Sequence, residues 1–207
     1  MDLLYEQHFL EVELVQIEHL AILRCLIRHH GLKRVFAENL APEGLGAYRE
    51  KIAVLKAMER DDMPELRKQL LQVKRLREGA EGERLETVKV MESKITGMID
   101  GHKRRLLEVG AAGRLLVSGE LEDVEPLEDR LAFEAASPVT PDGRVRPDPA
   151  KIAARNDAQV KRIVSKGGNA VVMLGGSHDL NASINRVAGG KIEYLRITTK
   201  WYRNLAD

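Results

Sequence analysis

Ala170-Val171-Val172-Met173-Leu174-Gly175-Gly176-Ser177-His178-Asp179-Leu180 is the stretch on which the fold turns. An apolar run ends in two glycines and, one residue on, a histidine. A short continuous apolar run bounded by glycine reads as a strand buried on both faces, as in a parallel sheet. In open α/β sheets, ligands bind beyond the carboxyl ends of the strands, which is where His178 falls. Gly175 and Gly176 allow a sharp turn or a close approach of the backbone to a ligand. Ser177 or Asp179 is placed to cap a following helix that runs to about Val187. The plainer alternative is a strand-turn-helix corner with an incidental histidine.

The segments on either side support a sheet. Asp148-Pro149 is an N-cap and first-turn pair, and predicts a helix from Ala150 to Lys166 that stops at Gly167-Gly168. It carries Ile152, Val160, Ile163 and Val164 inward, with Arg155, Asn156 and Asp157 in its first half. Ser137 to Pro149 holds four prolines and Gly143, and reads as a loop lying over the site. Ile192 to Thr198 alternates and predicts a last, edge strand. Trp201 and Tyr202 are expected to pack back on the sheet.

Earlier in the chain, Leu10 to His30 has the apolar spacing of a helix with a wide inner face, closed by Gly31. His29 and His30 suit the negative end of its dipole and read as a helix end rather than a metal pair. His19 on the inner face reads as a core histidine. Val35-Phe36-Ala37 predicts a strand with Glu38-Asn39 at its carboxyl end. Met1 to Phe9 is either a short first strand ending in a histidine or the start of the next helix; as a strand it would give a right-handed crossover.

Pro42 to Gly110 carries three apolar stripes at helical spacing, with Asp62-Met63-Pro64 marking a new start. This predicts an inserted helical subdomain over 43–110. Leu115, Leu116 and Val117 predict a strand within Gly113 to Gly119, and Glu120 to Ala136 becomes helical from about Pro126. The fold class expected is α/β, a mainly parallel open sheet flanked by helices, in a single domain over 1–207.

Composition narrows the function. The 33 basic and 32 acidic residues leave a net charge of +1, so nothing demands nucleic acid or an anionic membrane. The short basic cluster Lys103-Arg104-Arg105 has few aromatics nearby to stack on bases. No apolar run nears the roughly 18 residues that span a bilayer, and no signal-peptide plan opens the chain. The one cysteine, Cys25, excludes an internal disulfide and a cysteine-built zinc site, and reads as a buried small hydrophobe in a cytoplasmic protein. No Gly-x-Ser-x-Gly elbow and no Walker-type loop is present.

A faint internal echo remains. Leu3 to His8 and Met173 to His178 each run from apolar residues into a histidine. With Glu38 and the Arg155-Asn156 pair, this resembles the superfamily of erythromycin esterases, ChaN-like haem-binding proteins and TraB/Tiki proteins. Its members have an early strand ending in Gly-x-x-His, a strand ending in Glu, an Arg-Asn helix and a second Gly-x-x-His-type turn. Gly175-Gly176-Ser177-His178 matches the last of these, and His8 matches the first histidine by order. Tyr5 stands where the family has glycine, which fits either a diverged site or a start that trims the first strand.

The resemblance implies a divalent metal (zinc, manganese or iron) held by His8, Glu38 and His178 at one sheet edge. Glu6 or Glu38 is then the general base. Arg155 holds a substrate carboxylate or oxyanion, or pairs with Glu38, and Asn156 orients either group. The expected activity is hydrolysis of an ester or peptide bond in a small molecule or peptide. Two alternatives stand beside it. One is a ChaN-like haem-binding module with a histidine or tyrosine ligand. The other is a non-catalytic member whose inserted helices bind a second copy or another protein.

Overall fold

The computed structural model describes residues 3–32, 34–139, 143–175 and 178–206; side chains of residues 3–8 and 204–206 are outside that description. The chain divides into two compact units, Met1–Ala47 with Leu121–Asp207, and Tyr48–Glu120.

The first unit holds a three-stranded parallel sheet flanked by helices, an α/β arrangement. Its strands are β1 (Val35–Ala37), β2 (Glu125–Pro126) and β3 (Val171–Met173), in the order β2-β1-β3. Phe36 pairs with Glu125 on one side and Val172 on the other. Val35 and Phe36 are fully buried, as a central strand requires. β3 lies at the edge and its three residues are only half-buried, which corrects the expectation of a strand buried on both faces.

Helix α7 (Pro149–Lys166) begins as its sequence predicts. The Asp148 carboxylate accepts from the N–H groups of Ala150 and Lys151. Gly167 ends it with φ of 64°. It packs against α6 (Arg130–Ala135) and α8 (Asn181–Ala188). Asp179 accepts from the Asn181 N–H at 2.8 Å at the start of α8.

Several expectations are corrected. Of the two readings of the opening residues, the helix start holds, because α1 spans Leu3–His30 and Leu3 to Phe9 is not a first strand. No glycine or proline interrupts that span, and extending a helix costs far less than nucleating separate structure. Cys25, within it, is exposed rather than buried. β2 occupies Glu125–Pro126, where a helix was expected, and α6 starts only at Arg130, capped by Asp129. Ile192 to Thr198 forms no strand; Ile192 and Tyr194 pack instead on the core of Val160, Leu180 and Ile184. The tail forms α9 (Lys200–Ala206), packed on α1 rather than on the sheet, with the Trp201 N–H donating to Glu18.

His19 is half-buried in α1, and burial outweighs its neighbour Glu18 to hold the imidazole below its ordinary 6.5. The unfolded chain therefore binds more protons just below pH 6.5, and stability falls as pH drops through that window. We expect a lower urea midpoint at about pH 5.5 than at about 7.5, with a smaller gap in His19→Gln. An equal gap in both proteins contradicts the assignment.

The second unit is helical throughout: the body of α2 (Leu45–Ala57), α3 (Met63–Glu78), α4 (Gly82–Glu108) and α5 (Gly110–Ser118). Asp62 does not cap a new helix. A π-helical turn, Met58–Asp62, carries α2 directly into α3. It places the Glu59 carboxylate 2.7 Å from Nε2 of the buried His102. Leu115, Leu116 and Val117 lie in α5, not in a strand. Their apolar run reflects a short helix buried on nearly every side, with Ala111, Ala112 and Gly113 buried as well.

Gly113 gives a prediction against the usual trend. Alanine ordinarily favours a helix interior over glycine by about 1 kcal/mol. A Cβ here would stand 2.6 Å from Val109 Cβ and 2.8 Å from the Tyr48 hydroxyl. That phenol is itself pushed up to about 12 by burial. Overpacking outweighs propensity, so Gly113→Ala is expected to destabilise by about 1–3 kcal/mol in denaturant titration. A stabilised variant contradicts this packing.

Candidate active site

The carboxyl ends of the three strands and the first half of α7 bring four chemically active side chains together in the first unit. Glu38 follows β1 directly. Its N–H donates to Met173 O at 3.3 Å, extending the β1–β3 pairing by one residue. Glu128 comes two residues after β2, with its N–H donating to Leu40 O at 3.0 Å. His178 follows β3, and its N–H donates to Gly175 O at 3.0 Å. Arg155 projects from the first half of α7.

Arg155 joins the two carboxylates. Its Nε donates to Glu128 Oε2 at 3.0 Å, and Nη2 donates to Glu128 Oε1 and, at 3.2 Å, to Glu38 Oε1. Glu128 is 1% exposed and fully engaged. Gln159 Nε2 donates to it at 3.0 Å and the Asn39 N–H at 3.3 Å. Asn39 turns that N–H inward with φ of 62°, a left-handed conformation that asparagine tolerates. The Phe133 ring covers the guanidinium, 4.9 Å from centroid to Cζ. Burial alone would lower the Arg155 pKa; hydrogen bonds and charge from Glu128, then Glu38, hold it above its ordinary value.

Glu38 is the pivot. The Gly175 N–H donates to its Oε2, and its Oε1 lies 3.4 Å from His178 Nε2. A Cβ at residue 175 would stand 3.3 Å from that carboxylate, so glycine permits the approach. Two carboxylates against one guanidinium leave a single negative charge when the imidazole is neutral, in a site whose side chains are at most 21% exposed.

Of the residues singled out by sequence, Glu38, Arg155, Gly175 and His178 meet here. Asn156 is the next residue on α7; its Oδ1 is buried with no partner, as is Oε1 of Gln159, among the described residues. Gly176 and Ser177 lie outside the described residues, as do the side chains of Glu6 and His8, whose backbones belong to α1. Glu128, Gln159 and Phe133 were not anticipated. The one signal for Glu128 is its place in Glu125-Pro126-Leu127-Glu128, an acid just after a proline that a helix interior excludes.

The donor chemistry is compatible with a divalent ion. Ligands about 2.0–2.2 Å from one tetrahedral ion stand roughly 3.3–3.6 Å apart, and Glu38 Oε1 and His178 Nε2 are 3.4 Å apart. The residual negative charge favours a cation, whereas the guanidinium on the same Oε1 opposes one. Among the described residues no group of three His, Cys, Asp or Glu side chains is placed to hold a metal. Comparison of the chain with protein-family models, curated proteins and solved structures finds no match in any of the three. Among the described residues, no helix is long and apolar enough to cross a membrane.

Proposed function

We propose that the sheet-edge cluster is the active site of a metal-dependent hydrolase of ester or peptide bonds. The observation that carries this reading is the meeting of Glu38, Arg155 and His178, which three separate segments deliver to the carboxyl edge of one parallel sheet. The resemblance to the erythromycin esterase, ChaN and TraB/Tiki superfamily points the same way. Glu38 and His178 are the described donors, and His8 is the third in this reading. The unit Tyr48–Glu120 is read as a helical insertion between β1 and β2, outside the chemistry.

Bound zinc, manganese or iron would supply a water of lowered pKa and polarise a carbonyl. The chain's own residues supply the rest. Glu38 accepts the proton of the attacking water and returns it to the leaving oxygen or nitrogen as the acyl bond breaks. Arg155 is fixed by Glu128 through Nε and Nη2, and its Nη1 has no partner among the described residues. Nη1 is thus the donor for an oxyanion or a substrate carboxylate. Gly175 holds Glu38 in place through its N–H.

The test is turnover of an ester and peptide panel by the full chain supplied in turn with zinc, manganese and iron. The expected result is hydrolysis that a chelator abolishes and the ion restores. No turnover of either bond class with any of the three ions removes the reading.

A further inference from the structure

The outer face of α4 carries an exposed apolar patch, Val90 with Met91 and Met98 on its flank. Val88, Ile99 and His102 bury the inner face. On the opposite side Val90 is 55% exposed, and on its flank Met91 and Met98 are 49% and 58% exposed. An open hollow of about 440 Å³ lies over Val90 and Met91, bordered by Glu83, Glu86, Thr87 and Lys94. At 3.6 residues per turn, Val90, Lys94, Gly97 and Gly101 share this face. A Cβ at Gly97 or Gly101 would meet nothing within 4 Å, so these positions also face open space.

The charges on this face are arranged symmetrically about Val90. Glu86 precedes it by four residues and Lys94 follows it by four. If a second α4 lies antiparallel with the two-fold axis at Val90, Glu86 of each copy faces Lys94 of the other. The pairing occurs twice, as an isologous interface requires. Val90 then meets its own copy at the centre, and Gly97 lets the helices approach. Lys94 has no partner among the described residues. Glu86 bonds only Lys89 of its own helix, at 2.7 Å on the surface, a weak contact that is readily exchanged.

We infer that this face is a homodimer interface, with a second copy of the chain as its occupant. The inference is independent of the hydrolase reading, because it uses only α4. The face, from Glu83 to Gly101, is about 27 Å of one helix at 1.5 Å per residue, which is a small interface, so the dimer is concentration-dependent rather than permanent.

Sedimentation equilibrium of the full chain over a wide concentration range tests it. The parent is expected to dimerise. Glu86→Lys sets lysine against lysine and Lys94→Glu sets glutamate against glutamate, so each weakens the dimer at least tenfold. The double exchange restores complementarity and dimerisation close to the parent's. Circular dichroism checks that the variants stay folded, and Val90→Glu, which places like charges on the axis, is a second disrupting change. A monomeric parent at every concentration overturns the inference. A dimer that none of these changes weakens, or that the double exchange fails to restore, overturns it equally.

Discussion

Arg155→Met is expected to destabilise the sheet-bearing unit by about 3–5 kcal/mol, because it strands a buried carboxylate. Glu128 is 1% exposed, and Arg155 supplies two of its hydrogen bonds and its only counter-charge among the described residues. The Gln159 amide and the Asn39 N–H remain, but neither is charged. Methionine keeps much of the arginine's volume and its contact with Phe133, so the loss reads the charge rather than a cavity. Adding Glu128→Gln removes the stranded charge. The double variant is therefore expected to be more stable than Arg155→Met alone, since replacing both partners costs less than removing one. Urea titration of the parent, both single variants and the double variant gives the coupling directly. A loss below about 1 kcal/mol in Arg155→Met contradicts the buried pairing.

Glu38→Gln is expected to reduce turnover by about 10²–10⁴-fold with little change in fold. The amide oxygen can still accept the Gly175 N–H that the carboxylate now accepts. The charge that accepts a proton, and that would hold a cation beside His178, is gone. Asp157→Asn is the control. It lies two residues beyond Arg155 on α7, where hydrogen bonds from Arg186 hold its carboxyl below the usual range. Two residues on is about 200° round the helix from Arg155, and the partners of Asp157 are Arg186 and Ser183, so turnover should be unchanged. Comparable kcat values for the parent and Glu38→Gln contradict the proposed role.

The elements read correctly from sequence are those whose signals are local. Asp148-Pro149 caps α7, Gly167 stops it, and Val35 to Ala37 and Val171 to Met173 are strands. Glu38 and His178, noted at the strand ends, lie together because both strands are parallel and end at one edge, and Arg155 reaches them from α7. What escaped has no local signature. β2 is two residues long and contains a proline, too short for any periodicity, and Glu128 was lost with it. The apolar triplets Leu3-Leu4-Tyr5 and Leu115-Leu116-Val117 suit a strand or a helix equally. Helical context decided both, through the uninterrupted run to His30 and the αL stop at Gly119. Ile192 and Tyr194 alternate as a strand would, but their inner side chains meet a helix-lined core and no strand partner among the described residues. Asp62-Met63-Pro64 looks like a helix start because proline suits a first turn. Here the chain absorbs it through a π-helical turn instead.

The measurement closest to the central claim is the metal content of the purified full chain, alongside His178→Ala. The account predicts near one equivalent of a single divalent metal in the parent and its loss in the variant, with the variant's fold intact by circular dichroism. No bound metal in the parent, even after zinc, manganese and iron are each supplied, would contradict it. So would metal retained in full by His178→Ala.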